Sequence, residues 1–280
     1  MILPRRPQTV AAVAGHYDEL DPFYRDIWGE HVHHGYWASG RESPAQAADA
    51  LVDLVAERLR LGPGLAVCDI GCGYGAAARR IAERFGCAVT ALTVSPAQAA
   101  LAAQRSVASG SVSVLLRDWL HNDFPDAHFD RAYAVESTEH MPDKQRVFDE
   151  AFRTLRPGGV LVVCAWLARA GARAWEVRHL LEPICREGRL PGMGEETEYA
   201  DMARRAGFHV ASVEDISERV RRTWSICVRR VLGRFVAEPC YRRFLFDGNA
   251  RNRVFVVTML RLSIAYRTGS MRYCLFVFER

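Results

Sequence analysis

A short apolar run that leads directly into a glycine loop decides the fold of this chain: residues 67–75 read VCDIGCGYG. The glycines let the backbone turn tightly and approach a ligand closely. The helix predicted to follow would offer unpaired backbone N–H groups to a carboxylate or phosphate. Asp69 lies two residues before the first glycine, Gly71. A loop that can bind a carboxylate, with an acid beside it for an ammonium, favours a ligand with an amino acid end.

A dinucleotide is the alternative ligand for such a loop. It would require an acid for the ribose at the end of the second strand, about 20 residues further on. That strand ends in the sequence ALTVS at residues 91–95, which has no acid. A turn without a ligand is a third interpretation, but three glycines at a strand–helix junction are costly without a use.

Strand-like and helix-like segments alternate on both sides of the loop. Strands are predicted at residues 65–70, 88–94, 112–116, 129–135, 160–166, 208–213 and 271–278, with helices at 75–85, 96–109 and 143–155. Strands that are nearly continuously apolar and alternate with helices indicate a parallel sheet covered on both faces. We predict a doubly wound α/β fold with a mostly parallel seven-stranded sheet, the last strand closing the chain.

The chain is predicted to form a single domain over residues 1–280. An N-terminal cap segment (1–42) precedes the cofactor-binding core (43–167). Two helical insertions, 168–198 and 217–268, are expected to cover the site, and residues 269–280 supply the terminal strand. Residues 217–256 are rich in arginine and predicted to be largely helical.

Composition excludes several classes of protein. No apolar run approaches the ~20 residues that span a membrane, and no secretory signal is recognised in residues 1–15. The net charge is +4, and 36 of the 37 basic residues are arginines interspersed with acids, so nucleic-acid binding is not expected. Eight separated cysteines without a C-x-x-C pair indicate reduced thiols and a cytoplasmic location. The histidines at 31, 33 and 34 have no cysteine or acidic partner in sequence, so no metal site is predicted.

Four motifs together resemble the class I S-adenosylmethionine-dependent methyltransferases. They are WGEHVHHGYW (28–37), DIGCGYG (69–75), LTVSPAQ (92–98) and ESTEHMPDK (136–144). The resemblance is closest to the small-molecule branch that contains the tocopherol C-methyltransferases and the cyclopropane and mycolic acid synthases, and it extends from about residue 17 to residue 166. It implies a Rossmann-like fold and S-adenosylmethionine as the cofactor.

The resemblance also implies cofactor contacts. Asp69, Gly71 and Gly73 would flank the methionine end, while Thr93 and Gln98 would contact the ribose in place of the usual acid. Gln98 has a rival role, because Ser95-Pro96-Ala97-Gln98 is also a helix-capping signature like that at residues 43–46. The remaining expected contacts are Asp118 and Trp119 at the adenine, with Tyr17, His33 and Glu136.

Glu139 and His140 are the predicted catalytic residues. They follow the fourth strand at the carboxyl edge of the sheet, where doubly wound folds bind ligands, and a carboxylate beside an imidazole can accept a proton. The alternative is that Glu139 binds backbone and His140 packs. The residues predicted to contact substrate are Trp28, His34, Tyr36 and Trp224. Residues 219–230 could bind an anionic substrate, lie on a membrane surface, or form a solvated helix face.

We expect methyl transfer to a small hydrophobic, natural-product-like acceptor, with carbon of an isoprenoid or aromatic ring favoured. Nitrogen or oxygen methylation is the alternative, followed by a cyclopropane-forming lipid enzyme or a nicotinamide-dependent oxidoreductase. The partner is a small molecule, hydrophobic and potentially anionic. The sequence leaves monomer and homo-oligomer equally open.

Overall fold

The computed structural model describes residues 1–248, 252 and 254–280. Residues 249–251 and 253, within the predicted 217–268 insertion, lie outside the described residues. The helices are α1 (Val10–Trp28), α2 (Pro44–Leu59), α3 (Ala76–Phe85), α4 (Pro96–Ala103), α5 (Lys144–Thr154), α6 (Ala174–Glu176), α7 (Glu182–Glu187), α8 (Glu196–Ala206), α9 (Ser217–Val220), α10 (Arg222–Ala237), α11 (Pro239–Phe246) and α12 (Phe255–Thr268). The strands are β1 (Ala66–Ile70), β2 (Ala88–Thr93), β3 (Ser111–Leu116), β4 (Phe129–Val135), β5 (Leu155–Ala168), β6 (His209–Asp215) and β7 (Met271–Glu279).

The seven strands form one sheet in the order β3-β2-β1-β4-β5-β7-β6. Neighbours from β3 to β5 pair in parallel, and β7 is antiparallel to both β5 and β6. Two apolar clusters of buried side chains cover the two faces of the sheet, one of them extending under α1, α10 and α12. The predicted doubly wound, mostly parallel fold is therefore confirmed. The sequence did not indicate that β7 would enter the sheet between β5 and β6.

The carboxyl ends of β1, β2 and β4 lie at the same edge, and α1 covers that edge. Asp18 accepts a hydrogen bond from Ser95 Oγ (2.6 Å), at the start of α4. Asp21 accepts one from Tyr74 Oη (2.7 Å), in the glycine loop. These two bonds hold the N-terminal helix against the loops that follow β1 and β2.

Three predicted elements differ in extent from the structure. Helix α4 ends at Ala103 rather than Ser109, because residues 104–106 are exposed and offer the helix no apolar face. Strand β5 begins at Leu155, which pairs with Phe129 before the Pro-Gly-Gly turn forms a bulge. The predicted helical insertion over 168–198 contains a π-helical turn at Val177–Leu181, between α6 and α7. Pro183 lacks the N–H that would continue a regular helix there.

Among the described residues, no helix combines the length and the apolar character needed to cross a bilayer.

Candidate active site

A cavity opens at the carboxyl edge of the sheet beneath α1. It contains about 1020 Å³ of space free of protein atoms, counting open solvent at its mouth. All ten residues predicted to bind the cofactor line it: Tyr17, His33, Asp69, Gly71, Gly73, Thr93, Gln98, Asp118, Trp119 and Glu136. These residues are brought together because each lies near the carboxyl end of a parallel strand, in a loop or helix start that follows one, or in the segment that covers those ends.

The glycine loop after β1 is shaped by two different requirements. Gly71 has φ +92°, and a Cβ there would lie 2.3 Å from Cβ of Ser137. Gly73 has φ +52°, but a Cβ there would meet no protein atom within 4 Å. Gly71 is therefore needed for packing inside the protein, whereas the space beside Gly73 belongs to the cavity.

The start of α3 fits an anionic group. Gly75 is the N-cap residue, and none of the side chains that the structure describes caps the helix. Backbone N–H groups at an uncapped helix start are partners for a carboxylate, and the helix dipole favours negative charge there.

Asp69 supplies the complementary negative charge. Its side chain is buried and accepts a hydrogen bond from Tyr133 Oη (2.8 Å). Burial raises the pKa of Asp69 to about 7, against the smaller opposing effect of the Tyr133 hydrogen bond. A buried carboxylate with so little stabilisation gains from a cationic partner. The uncapped helix and this carboxylate together match the two charges of an amino acid, so the residues fit the methionine end of S-adenosylmethionine.

Only one of the two hydrogen bonds of a capping box forms between Ser95 and Gln98. Ser95 Oγ accepts from the backbone N–H of Gln98 (3.2 Å), but the Gln98 side chain does not return to Ser95. Its Oε1 accepts from Thr93 Oγ1 (2.8 Å), and both side chains are buried at the cavity. At residues 43–46 the equivalent glutamine does complete the box. The amide of Gln98 is therefore oriented toward the cavity, as the expected ribose contact requires.

Asp118 and Trp119 begin a 3₁₀ turn after β3. Asp118 caps the turn by accepting from the N–H of Leu120 (3.0 Å). Trp119 is buried and donates through Nε1 to the carbonyl of Val147 (3.2 Å). The indole is thus part of the core and also one wall of the cavity.

Glu136, at the end of β4, is held by a network of donors. It accepts from the backbone N–H of His34 (2.6 Å), from His34 Nδ1 (2.9 Å) and from Tyr273 Oη (2.8 Å). Trp224 Nε1 donates to His34 Nε2 (2.7 Å), which leaves the imidazole proton on Nδ1, facing Glu136. Burial alone would raise the pKa of Glu136, but its contacts with His34 and His33 hold the pKa below the usual range. Glu136 is therefore an ionised, weakly basic carboxylate.

Glu136 also adopts φ +54°. A non-glycine residue in this region costs about 1–2 kcal/mol and persists where its surroundings impose it. The His34 and Tyr273 contacts impose it here.

His140 forms the opposite wall of the cavity with Tyr17. Tyr17 Oη and His140 Nε2 are 2.9 Å apart, and both residues line the cavity. Burial lowers the pKa of His140 to about 3, aided by the charges of His16 and Lys144. Burial raises the pKa of Tyr17. Both groups are therefore neutral near pH 7.

Glu139 lies outside the lining of this cavity. Its side chain is buried, and Oε1 accepts from the backbone N–H of Trp166 (2.7 Å). Lys144, the single lysine of the chain, is buried beside it and donates to the carbonyls of Thr138, Glu139 and Met141 (3.1, 3.2 and 2.9 Å). Burial raises the pKa of Glu139 and lowers that of Lys144. Glu139 thus lies where the alternative role, binding to backbone, would place it. Glu139 and Lys144 together fix the turn that carries His140.

A second, wholly apolar chamber lies between α1 and the helices α10 to α12. It contains about 390 Å³ of space free of protein atoms, again counting open solvent at its mouth. Its walls are Leu20, Phe23, Tyr24, Ile27, Trp28, Val231, Tyr241, Phe244, Leu245 and Met259. Tyr24 also contacts Tyr17, with ring centroids 5.5 Å apart, so one layer of aromatic rings separates this chamber from the first cavity.

Of the four residues predicted to contact substrate, Trp28 lines this chamber. His34, Tyr36 and Trp224 line neither cavity. His34 and Trp224 are buried in the hydrogen-bond network around Glu136. The backbone N–H of Tyr36 donates a hydrogen bond to the carbonyl of Ala47 (2.7 Å).

Residues 219–230 do not reach the first cavity. Arg219 and Arg222 donate to the carbonyls of Ala38 and Gly40 instead. Within the described part of the chain, no cluster of three or more metal-ligating side chains is present.

The comparisons with known proteins agree with this geometry. Residues 5–233 match the family described as mycolic acid cyclopropane synthetase. The chain belongs to this family. The tocopherol O-methyltransferase of Arabidopsis thaliana chloroplasts is 32% identical over 243 residues, covering 79% of this chain and 69% of that protein. The protein is therefore an S-adenosylmethionine-dependent methyltransferase, and the nicotinamide alternative is wrong.

Two solved structures extend the comparison to the whole chain. The [4+2]-cyclase SpnF is 29% identical, with a TM-score of 0.78, and the match covers 100% of this chain and 99% of that one. A mycolic acid cyclopropane synthase complexed with SAH and CTAB has a TM-score of 0.85 at 23% identity, covering 98% and 99%. The second shows the fold alone.

Sequence reasoning missed three residues that shape the site. Ser137 packs against Gly71, Tyr133 binds Asp69 and Tyr273 binds Glu136. Ser137 lies inside the recognised motif at residues 136–144, so its presence at the site could have been inferred from the sequence. Tyr273 lies 137 residues from Glu136, and nothing in the local sequence links them.

Proposed function

We propose that this methyltransferase methylates a ring or alkene carbon of a hydrophobic acceptor. The observation that carries the proposal is the weak basicity of the groups at the acceptor side of the cavity. His140 has a pKa of about 3, and the pKa of Glu136 is held low. Carbon methylation needs no base before transfer, because the π electrons of the acceptor are the nucleophile.

When bound, S-adenosylmethionine supplies an activated methyl group. The π electrons form the new carbon–carbon bond, and the methyl–sulfur bond breaks with its electron pair going to sulfur. The acceptor is then a carbocation, which is a strong acid and can lose its proton to a weak base. Tyr17 Oη accepts that proton as it passes its own hydroxyl proton to His140 Nε2, and the negative charge of Glu136 stabilises the cation before proton loss.

The apolar chamber behind Tyr24 supports a hydrophobic acceptor. It would hold the hydrocarbon part of the molecule when the Tyr17 and Tyr24 rings that separate it from the first cavity turn aside, while α1 excludes water from the reacting end. In this scheme Glu139 is a positioning residue that acts through the turn carrying His140. Glycine-loop contacts and the Asp69 carboxylate align the methyl donor. The eight cysteines are all free in the structure, which supports the cytoplasmic location that we also propose.

The name of one relative, tocopherol O-methyltransferase, favours a second candidate, a phenolic oxygen. Incubation with ¹³C-methyl S-adenosylmethionine and a panel of prenylated quinols, terpenoids and phenols separates the two. We expect ¹³C–¹³C coupling of the new methyl to an acceptor carbon when that carbon is also labelled. A methoxyl product would overturn the carbon assignment, and a cyclised product without label would overturn methyl transfer.

The His140→Gln variant tests the proton acceptor. We expect kcat to fall at least tenfold while the affinity for S-adenosylhomocysteine stays within about twofold, since general-base catalysis contributes about 10²–10⁴-fold. The Glu139→Gln variant can lose as much kcat, but through weaker folding. A lowered Tm would identify that cause in Glu139→Gln, whereas His140→Gln should keep the wild-type Tm. An unchanged kcat in His140→Gln would remove His140 from the reaction.

A further inference from the structure

The helices between β6 and β7 differ in charge from the rest of the chain. Residues 217–268 contain twelve arginines and three acidic residues, a net charge of +9. The whole chain has a net charge of +4, so all other residues together sum to −5. Several of these arginines, including Arg229 and Arg243, are exposed. The positive charge of the molecule is therefore concentrated on one helical segment.

The same segment carries most of the exposed apolar side chains. Eleven large apolar side chains are exposed among the described residues, and seven of them lie between residues 232 and 264. They include Leu232, Val236, Phe246, Val257, Leu260 and Ile264. Val236 is 77% exposed and Phe246 76% exposed.

These side chains form ordered patches. Val257, Leu260 and Ile264 recur at spacings of three and four, which places them on one face of α12. Phe246, at the end of α11, contacts Phe235 on α10 with ring centroids 6.3 Å apart, so it lies beside Val236. Arg242 donates to the carbonyl of Val236 (2.7 Å), which brings a guanidinium to the same patch.

We propose that the outer face of α10, α11 and α12 docks on an anionic phospholipid bilayer. Guanidinium groups pair with lipid phosphates, and apolar side chains between them enter the boundary of the acyl chains. A second copy of the chain is a poor occupant, because it would bring +9 against +9. An acidic protein would satisfy the arginines but would leave no reason for the high exposure of Val236 and Phe246.

The inner faces of the same three helices line the apolar chamber, which links membrane binding to uptake of the acceptor. Val231 of α10, Phe244 of α11 and Met259 of α12 line the apolar chamber. A bilayer bound outside the three helices would lie one helix layer away from that chamber. A lipid-like acceptor could then pass from membrane to chamber without crossing water. The proposal concerns where the enzyme binds and does not depend on which acceptor atom is methylated.

The test is cosedimentation of the full chain with vesicles. Vesicles of phosphatidylcholine with about 30% phosphatidylglycerol are compared with phosphatidylcholine alone, at low and high salt. We expect binding to the anionic vesicles, at least tenfold stronger than to the neutral ones, and weakened by salt. The Val236→Glu/Phe246→Glu and Arg229→Glu/Arg243→Glu variants should each lose at least tenfold in binding.

Leu116→Glu is the matched control. Leu116 is 57% exposed on β3, outside the helical segment, so its replacement should leave vesicle binding unchanged. Affinity for S-adenosylhomocysteine verifies that every variant is folded. The proposal is overturned if the wild-type chain does not sediment with anionic vesicles, or if Leu116→Glu weakens binding as much as the helix variants. It is also overturned if light scattering shows that the wild-type chain is a dimer that Val236→Glu/Phe246→Glu dissociates.

Discussion

Replacing Gly71 by alanine should damage folding more than replacing Gly73, although the two glycines are two residues apart. In Gly71→Ala the new Cβ would lie 2.3 Å from Cβ of Ser137, at a backbone φ of +92°. The left-handed backbone costs about 1–2 kcal/mol, and forcing a methyl group into a packed site costs about 1–3 kcal/mol more. The sum of about 2–5 kcal/mol corresponds to a Tm lower by roughly 3–9 °C for a domain of this size.

Gly73→Ala should show the opposite balance. Its Cβ would meet no protein atom within 4 Å, so only the backbone cost at φ +52° applies. The methyl group would instead enter the cavity where the donor binds. An extra methyl in a fitted pocket is worth about 10–200-fold in affinity. We therefore expect at least tenfold weaker binding of S-adenosylhomocysteine and a Tm within a few degrees of wild type.

Differential scanning fluorimetry and titration calorimetry measure the two effects separately. The second-site variant Gly71→Ala/Ser137→Gly removes the clash but keeps the backbone cost, so it should recover about half of the lost Tm when compared with Ser137→Gly alone. Equal stability of Gly71→Ala and wild type, or normal ligand affinity in Gly73→Ala, would refute the division of roles between the two glycines.

Three further outcomes follow from the site. Binding of S-adenosylhomocysteine should weaken about tenfold from pH 6 to pH 5, because the ligand ammonium needs the carboxylate form of Asp69, whose pKa in the free protein is about 7. Calorimetry on Asp69→Asn should show an affinity that does not change over this pH range. A pH-independent affinity in the wild-type protein would contradict the pairing of Asp69 with the ligand ammonium. Gln98→Ala should lower ligand affinity about tenfold. Gln46→Ala, at the same position of a matching capping sequence, should only remove one hydrogen bond, which costs about 0.5–1.5 kcal/mol of stability. Equal affinities of Gln98→Ala and wild type would remove Gln98 from the site. Lys144→Met should lower the free energy of unfolding by about 3 kcal/mol or more, because it leaves the buried carbonyls of Thr138, Glu139 and Met141 without their donor and each unsatisfied acceptor costs about 1–3 kcal/mol. A variant as stable as wild type in urea denaturation would show that the lysine is dispensable.

The local motifs were sufficient to predict the cofactor cavity. Asp69 and Thr93 lie in the last residues of β1 and β2, Asp118 lies just after β3, and parallel strands end at a common edge. Contacts within that edge are therefore encoded within a few residues of each strand end.

The sequence could not predict side-chain orientations that depend on packing between residues far apart in the chain. The carboxylates of Glu136 and Glu139 are three residues apart, yet one faces the cavity and the other binds the backbone of β5. The difference depends on Tyr273, which arrives with the last strand. The apolar chamber likewise needs α1 and α10–α12 together, which lie about 200 residues apart in the chain.

The burial of Lys144 has a consequence for the outside of the molecule. Since this is the single lysine, the positive side chains at the surface are guanidinium groups, apart from any protonated imidazoles. A guanidinium keeps its charge across the whole range in which proteins stay folded, whereas an ammonium can be neutralised by alkali, acetylation or amine-reactive reagents. The electrostatic attraction of this enzyme for polyanions should therefore survive both high pH and exhaustive acylation.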